Sequence, residues 1–320
     1  MASRIFMSAV VIGSCMMACA EETVPSFATP REAGFAWQLQ GEYDGELNDE
    51  KWGAHVIAEP DGTFRAIGFK GGLPGDGWRG DFGQYVSGTR TGETVTMKAE
   101  SFYLTVDGKT LQLYRNAGTQ FGTLRKRTRR SETLGAKPPE GAEVLFDGTS
   151  TAAWKNAKLT KDRLLAASNC STKQVFGDHH LHIEFRVPFM PESTGQARGN
   201  SGVYVQSRYE IQVLDSFGLT PEDNGCGGIY KVSKPVVNMS FPPLVWQTYD
   251  IDFTAAKWDE DRKVKNARIS VRHNGVVIHD DVELPRQTPG RWPEGPEDAP
   301  LFLQNHGNSV VYRNIWVLRK

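Results

Sequence analysis

What most constrains this chain is its punctuation. Short runs of alternating apolar and polar residues are broken at close intervals by turn pairs, among them Asp61-Gly62, Thr91-Gly92, Asp107-Gly108 and Asn274-Gly275. Strands joined by turns produce that spacing, whereas amphipathic helices need an apolar period near 3.6 sustained over several turns. No long stretch sustains one. The 33 glycines and 17 prolines among 320 residues point the same way. An all-β chain is expected, and at roughly 150 residues per domain it has room for two domains.

Composition narrows the function classes. The 37 Lys and Arg residues are balanced by 38 Asp and Glu, for a net charge of −1. A chain without uncompensated positive charge is poorly suited to a polyphosphate backbone, so no nucleic-acid partner is expected. No apolar run reaches the roughly 20 residues of a spanning helix, so no transmembrane span is expected.

The first twenty residues read as an export signal. Arg4 is the only charge before Glu21, and Ile5 to Ala20 is apolar or small. Ala18-Cys19-Ala20 fits cleavage to a free protein; Ile12-Gly13-Ser14-Cys15 fits a lipobox, with a lipid anchor at Cys15. Both readings place the protein outside the cytoplasm: periplasmic, surface-bound or secreted. Cys170 and Cys226 then remain, either as one disulfide or as two free thiols.

Residues 21–34 read as a linker and 35–130 as a small β domain of unassigned role. Its glycine-rich stretch Gly71–Gly77 lacks the features of a phosphate loop and reads as a surface turn. The basic run Arg125–Arg130 reads as a solvated strand end entering a linker at 131–140, stiffened by Pro138-Pro139. From 141 to 320 the strand pattern resumes. His180–Val187 alternates with Leu181, Ile183 and Phe185 on one face and His180, His182 and Glu184 on the other, a polar surface. Asn274-Gly275 marks a hairpin between Arg268–His273 and Val276–His279. These spacings suggest an antiparallel two-sheet sandwich.

The chemistry concentrates in two adjacent strands, Gly202–Gln206 and Tyr209–Leu214. On the second, Glu210 and Gln212 share one face and Ile211 and Val213 the other. A solvent-facing sheet gives that pattern too. A shared site is favoured because Asn200, Gln304 and His306 stand in similar strand-like contexts.

Six segments then occur in order: Glu143-Val144-Leu145-Phe146-Asp147-Gly148, Gly199-Asn200-Ser201-Gly202, Tyr209-Glu210-Ile211-Gln212-Val213-Leu214-Asp215, Gly227-Gly228-Ile229-Tyr230, Leu303-Gln304-Asn305-His306-Gly307 and Tyr312-Arg313-Asn314-Ile315. The series resembles the 3-keto-disaccharide hydrolase domain family, also described as 3-keto-glucoside lyase and 3-keto-2-hydroxy-glucal hydratase, over about 141–320. The resemblance implies a concanavalin-like jelly-roll sandwich acting on sugars whose 3-hydroxyl is oxidised to a ketone. Asn305 departs from the family, which often has Asp there, and Cys226 stands where relatives often have a small or polar residue.

A 3-ketone acidifies the C2 hydrogen, so a base can remove it, the C1 substituent can leave by β-elimination, and water can add back. That chemistry needs a base, a proton donor and a group polarising the ketone. Glu210 and His306 are the expected catalytic pair, or ligands of a divalent metal ion. Asn200, Gln212, Asp215, Tyr230 and Gln304 are expected to bind the substrate. Retaining sandwich glycosidases often carry Glu-x-Asp-x-Glu on one strand; here the same positions read Glu210, Gln212 and Leu214, which removes the carboxylate pair. The alternative is a non-catalytic carbohydrate-binding or surface-adhesion sandwich, in which aromatics such as Trp246, Trp258 and Trp292 would stack on sugar rings.

Overall fold

A computed structural model describes residues 24–320. The export signal, its cleavage site and the Cys15 anchor lie outside the described residues. The chain is all-β, as its turn spacing requires. Eight antiparallel strands follow one another around a closed barrel: β1 (Gly41–Leu47), β2 (Glu50–Glu59), β3 (Thr63–Lys70), β4 (Phe82–Thr91), β5 (Thr94–Lys98), β6 (Phe102–Val106), β7 (Thr110–Arg115) and β8 (Gln120–Arg127). β8 returns to pair with β1, Glu42 opposite Arg127, so the barrel has no free edge. Its inward positions include Tyr43, Val56, Phe64, Val86, Val95, Leu104 and Leu124.

The stretch read as a linker ends in a helix instead. Pro30–Leu39 forms α1, kinked at Gly34. The signal was in the sequence: Thr29 accepts from the Glu32 backbone N–H while the Glu32 side chain accepts from the Thr29 backbone, a capping box with proline at the first helical position. Leu39 is fully buried at one end of the barrel.

The second unit contains β9 (Glu143–Phe146), β10 (Trp154–Lys155), β11 (Leu165–Ala166), β12 (Cys170–Thr172), β13 (His179–Arg186), β14 (Ser201–Val205), β15 (Tyr209–Val213), β16 (Gln247–Thr254), β17 (Lys257–Asp259), β18 (Arg262–Lys265), β19 (Ala267–His273), β20 (Val276–Leu284), β21 (Phe302–Leu303) and β22 (Val311–Arg319). One sheet runs β10-β12-β21-β14-β15 and the other β11-β22-β13-β16-β19-β20, with β9 on β22. Val203, Ile211 and Val213 from the first sheet share a core with Leu181, Phe185, Ile251 and Val271 from the second. Cys170 and Cys226 are both buried and free; the Cys226 thiol lies 3.1 Å from the Tyr249 hydroxyl.

Segment 131–137 is stitched to the outer face of the larger sheet rather than left as a tether. Ser131 and Thr133 hydroxyls bond Thr248, Thr133 donates to Asp250, the Gly135 N–H donates to Glu184, and the Ala136 carbonyl accepts from Asn314 and Trp316. This corrects the reading of His182 as polar surface: the ring is completely buried, 2.6 Å from Asp250 and stacked on Trp316. The basic run is likewise not simply solvated. Arg129 forks onto buried Glu42, and Lys126 donates to the Gln38 and Gln40 carbonyls at the end of α1. Burial would raise the Glu42 carboxyl, but the His55 ring 3.3 Å away and the Arg129 fork hold it below its usual range.

The two units also share apolar and ionic contacts. Phe217, just beyond β15, stacks on His55 of the barrel with ring centres 4.3 Å apart. Buried Arg198 donates to Asp215 at 2.7 Å and to the Ala58 carbonyl of β2 at 3.0 Å.

Candidate active site

Glu210 and Gln212 stand on the face of β15 turned away from the sandwich core, as the alternation requires. They are not solvent-facing, being 3% exposed each, because three segments wall that face. Gly227–Tyr230 runs beside β15, held by Gly227 N–H to the Gln212 carbonyl, Gln212 N–H to the Gly228 carbonyl, and Tyr230 N–H to the Glu210 carbonyl. Buried His279 supports this segment through the Gly227 carbonyl at 2.7 Å. Thr288-Pro289-Gly290 closes a second side, the Thr288 hydroxyl accepting from the Glu210 N–H. The Gln304–Asn308 loop closes the third: Gln304 N–H donates to the Gly202 carbonyl, and the Asn308 side chain accepts from the Asn200 N–H.

The result is a cavity of about 370 Å³ lined by Gln196, Asn200, Tyr204, Glu210, Gln212, Tyr230, Pro289, Gly290, Gln304 and His306, large enough for a small ligand. Six of the seven residues expected from the sequence meet here. Asp215 does not. The strand ends at Val213, the alternation ends with it, and the Asp215 carboxylate turns to Arg198. None of the three tryptophans lines the cavity, and Trp246 instead lies under the guanidinium groups of Arg186 and Arg313.

Tyr204, absent from the sequence expectations, is directly opposite Glu210 across the β14–β15 ladder. Gly202 makes room for them: a Cβ there would lie 2.3 Å from Glu210 Oε1 and 3.0 Å from the Tyr204 ring. Burial pushes the Glu210 carboxyl up to about 7, moderated by the Tyr204 hydroxyl. Burial also raises the Tyr204 phenol well above its ordinary value, keeping it protonated at neutral pH. Gln304 donates to the Tyr204 hydroxyl at 3.3 Å, while its own Oε1 is buried without a partner. Gln212 donates to Asn200 Oδ1, and Asn200 donates onward to Gln196, so the amides form a fixed relay along one wall. His306 is exposed on the loop at the rim. Asn305 accepts from the Gly307 N–H, a turn-holding task that needs an oxygen and no charge.

Among the described residues no three His, Cys, Asp or Glu side chains converge to hold a metal. Glu210 and His306 would need amide oxygens, such as the unpartnered Oε1 of Gln304, to complete a shell for a hard cation.

Residues 141–318 match the 3-keto-alpha-glucoside-1,2-lyase-like domain. The chain belongs to this family. Among solved structures, it is similar to a protein from Parabacteroides distasonis ATCC 8503 described as a candidate glycosyl hydrolase, at 32% identity, covering 57% of this chain and 85% of that one, with a TM-score of 0.52. A second candidate glycosyl hydrolase from the same organism aligns at 15% identity over 60% of this chain and 98% of that one, with a TM-score of 0.42. No curated protein matches the chain. The 3-keto-alpha-glucoside-1,2-lyase-like family places it among carbohydrate-active enzymes. The match ends short of the barrel.

Proposed function

We propose that this enzyme cleaves 3-keto-glycosides by elimination. The two-sheet architecture is in keeping with the jelly roll implied by the family. The observation that carries the reading is the state of Glu210: among the described residues the only carboxylate lining the cavity, buried among neutral groups and poised near neutrality. Retaining or inverting hydrolysis needs two carboxyl groups flanking the scissile bond, and this cavity supplies one. Abstraction of an acidified C2 hydrogen needs one base with a pKa near the working pH. Glu210 takes the C2 proton, and the electron pair moves into the C2–C3 bond as the ketone oxygen becomes an enolate. The enolate then collapses, breaking the C1–O bond, and His306 at the rim delivers a proton to the departing oxygen. The Tyr204 hydroxyl and the amides of Gln304 and Gln212 orient the sugar, with Asn200 holding Gln212 and Tyr230 forming part of the wall. Addition of water across the resulting enone completes the hydrolysis.

A divalent ion held by Glu210, His306 and amide oxygens would polarise the ketone. Export through residues 1–20, with or without a lipid on Cys15, belongs to the same proposal. Incubating the full chain with 3-keto-trehalose and 3-keto-glucosides, with and without a chelator, tests it. Release of 3-keto-glucose or of the 2-hydroxy-glucal is expected from the chain and not from Glu210→Gln. Binding of these sugars with no product from either would instead mark a carbohydrate-binding module.

A further inference from the structure

The barrel contains a second cavity of opposite character. At the end capped by α1, the inward positions are filled by Tyr43, Val56, Phe64, Val95 and Val106. Toward the other end the inward side chains shrink: Ala54 on β2, and Ala66 and Gly68 on β3. The remaining wall is Leu47, Trp52, Val86, Leu104, Leu111 and Leu124, with half-exposed Phe102, Leu113 and Phe121 at the mouth. An eight-stranded barrel is just wide enough for side chains to fill it or for one small molecule to sit inside. Here they do not fill it, and about 320 Å³ remains. Well-packed interiors rarely leave voids much larger than a water molecule.

The lining identifies the class of occupant. Its polar side chains are Asn48, Glu50 and Gln84, all exposed, and Glu50 is already paired with Lys70 at 3.1 Å. Among the described residues the rest of the wall is aliphatic or aromatic, with the Trp52 indole as its one further polar group, so a sugar would be stripped of water with few replacement partners. We infer that the barrel is a binding cup for the aliphatic chain of an uncharged amphiphile, its polar end at the Asn48–Gln84 rim. The volume is roughly twice that of the ~150 Å³ apolar cavity that takes up benzene, which sets the buried part at about twelve carbon atoms. This assignment is independent of the sugar site and lies outside the family match.

The test uses the full chain and the neutral fluorophore N-phenyl-1-naphthylamine. Saturable uptake of one probe per chain is expected, competed by dodecan-1-ol and not by butan-1-ol. Energy transfer from tryptophan to the probe should drop in Trp52→Phe, which places the probe at this wall. Ala66→Phe fills the cavity and should weaken uptake at least tenfold; Ala54→Leu, a smaller insertion on a neighbouring strand, should do so if the first variant fails to fold. Sugar turnover should persist in any folded cup variant, so the two assignments stand or fall separately. Absence of saturable uptake by the folded chain, or uptake that both filled variants retain, overturns the inference.

Discussion

Tyr204 and Glu210 face each other as a cross-strand pair three positions either side of Ser207, at the centre of the tight turn that joins their strands. The turn is made possible by two consecutive left-handed residues, Gln206 at φ 50° and Ser207 at φ 50°. Phenol and carboxyl thereby share one pleat face, where the missing side chain of Gly202 gives them space.

Activity and stability should separate at this pair. Glu210→Gln removes the base and should lower kcat by about 10²–10⁴-fold. A carboxyl whose folded value is near 7 against 4.5 in the unfolded chain destabilises the fold as pH rises from 4.5 to 7, and the cost stays constant above that. The substitution should therefore make the protein more stable at pH 8, by up to about 3 kcal/mol, and flatten its stability between pH 5 and 7. Denaturant titrations at several pH values check this; a variant less stable at pH 8 would contradict the assignment.

The pH dependence of kcat/KM should show an ascending limb with a midpoint near 7, as the Glu210 carboxyl ionises. The Tyr204 hydroxyl lowers that carboxyl, so Tyr204→Phe should move the limb to higher pH. An unmoved limb with reduced kcat would mean that Tyr204 acts on the substrate alone.

Beneath segment 131–137, burial would raise Glu184, yet the neighbouring His182 ring and bonds from Asn314, the Gly135 N–H and Arg313 pull it down to about 2. Its contribution is present above pH 4.5 and lost as pH falls through 2. Allowing for screening on the Arg313 side, Glu184→Gln should cost about 2 kcal/mol at pH 7 and little at pH 2. Thermal midpoints of the two proteins should converge on acidification.

Where the chain can be cut follows from the same network. A fragment of residues 131–320 should retain cooperative unfolding at a lowered midpoint, since removal of the barrel uncovers Phe189, Phe217 and Leu244. A fragment of 141–320 also loses the cover over His182 and Glu184 and should unfold without a sharp transition. Equal midpoints for the two fragments would show that segment 131–137 adds nothing.

The legible part of this molecule was whatever obeys a local period. Alternation on β15 located Glu210 and Gln212, and the family-like segments supplied Asn200, Tyr230, Gln304 and His306. Tyr204 was also within reach, because counting three residues outward on each side of Ser207 pairs it with Glu210. Asp215 misled because it lies past the strand end, where the two-residue period no longer applies. His182 and the supposed linker were misread for one shared reason. A strand face is polar whether it meets water or a hydrogen-bonding strap, and only long-range packing distinguishes them. The capping box at Thr29 and Glu32 was a missed signal rather than an absent one.

Arg198 gives the barrel a role that its own cavity does not suggest. Its guanidinium ties the Ala58 carbonyl of the barrel to Asp215, two residues beyond the end of the strand carrying Glu210 and Gln212. Phe217, two residues further, is clamped on His55. Any rocking of one unit against the other must therefore torque β15, so the barrel works as a splint that holds the base in alignment.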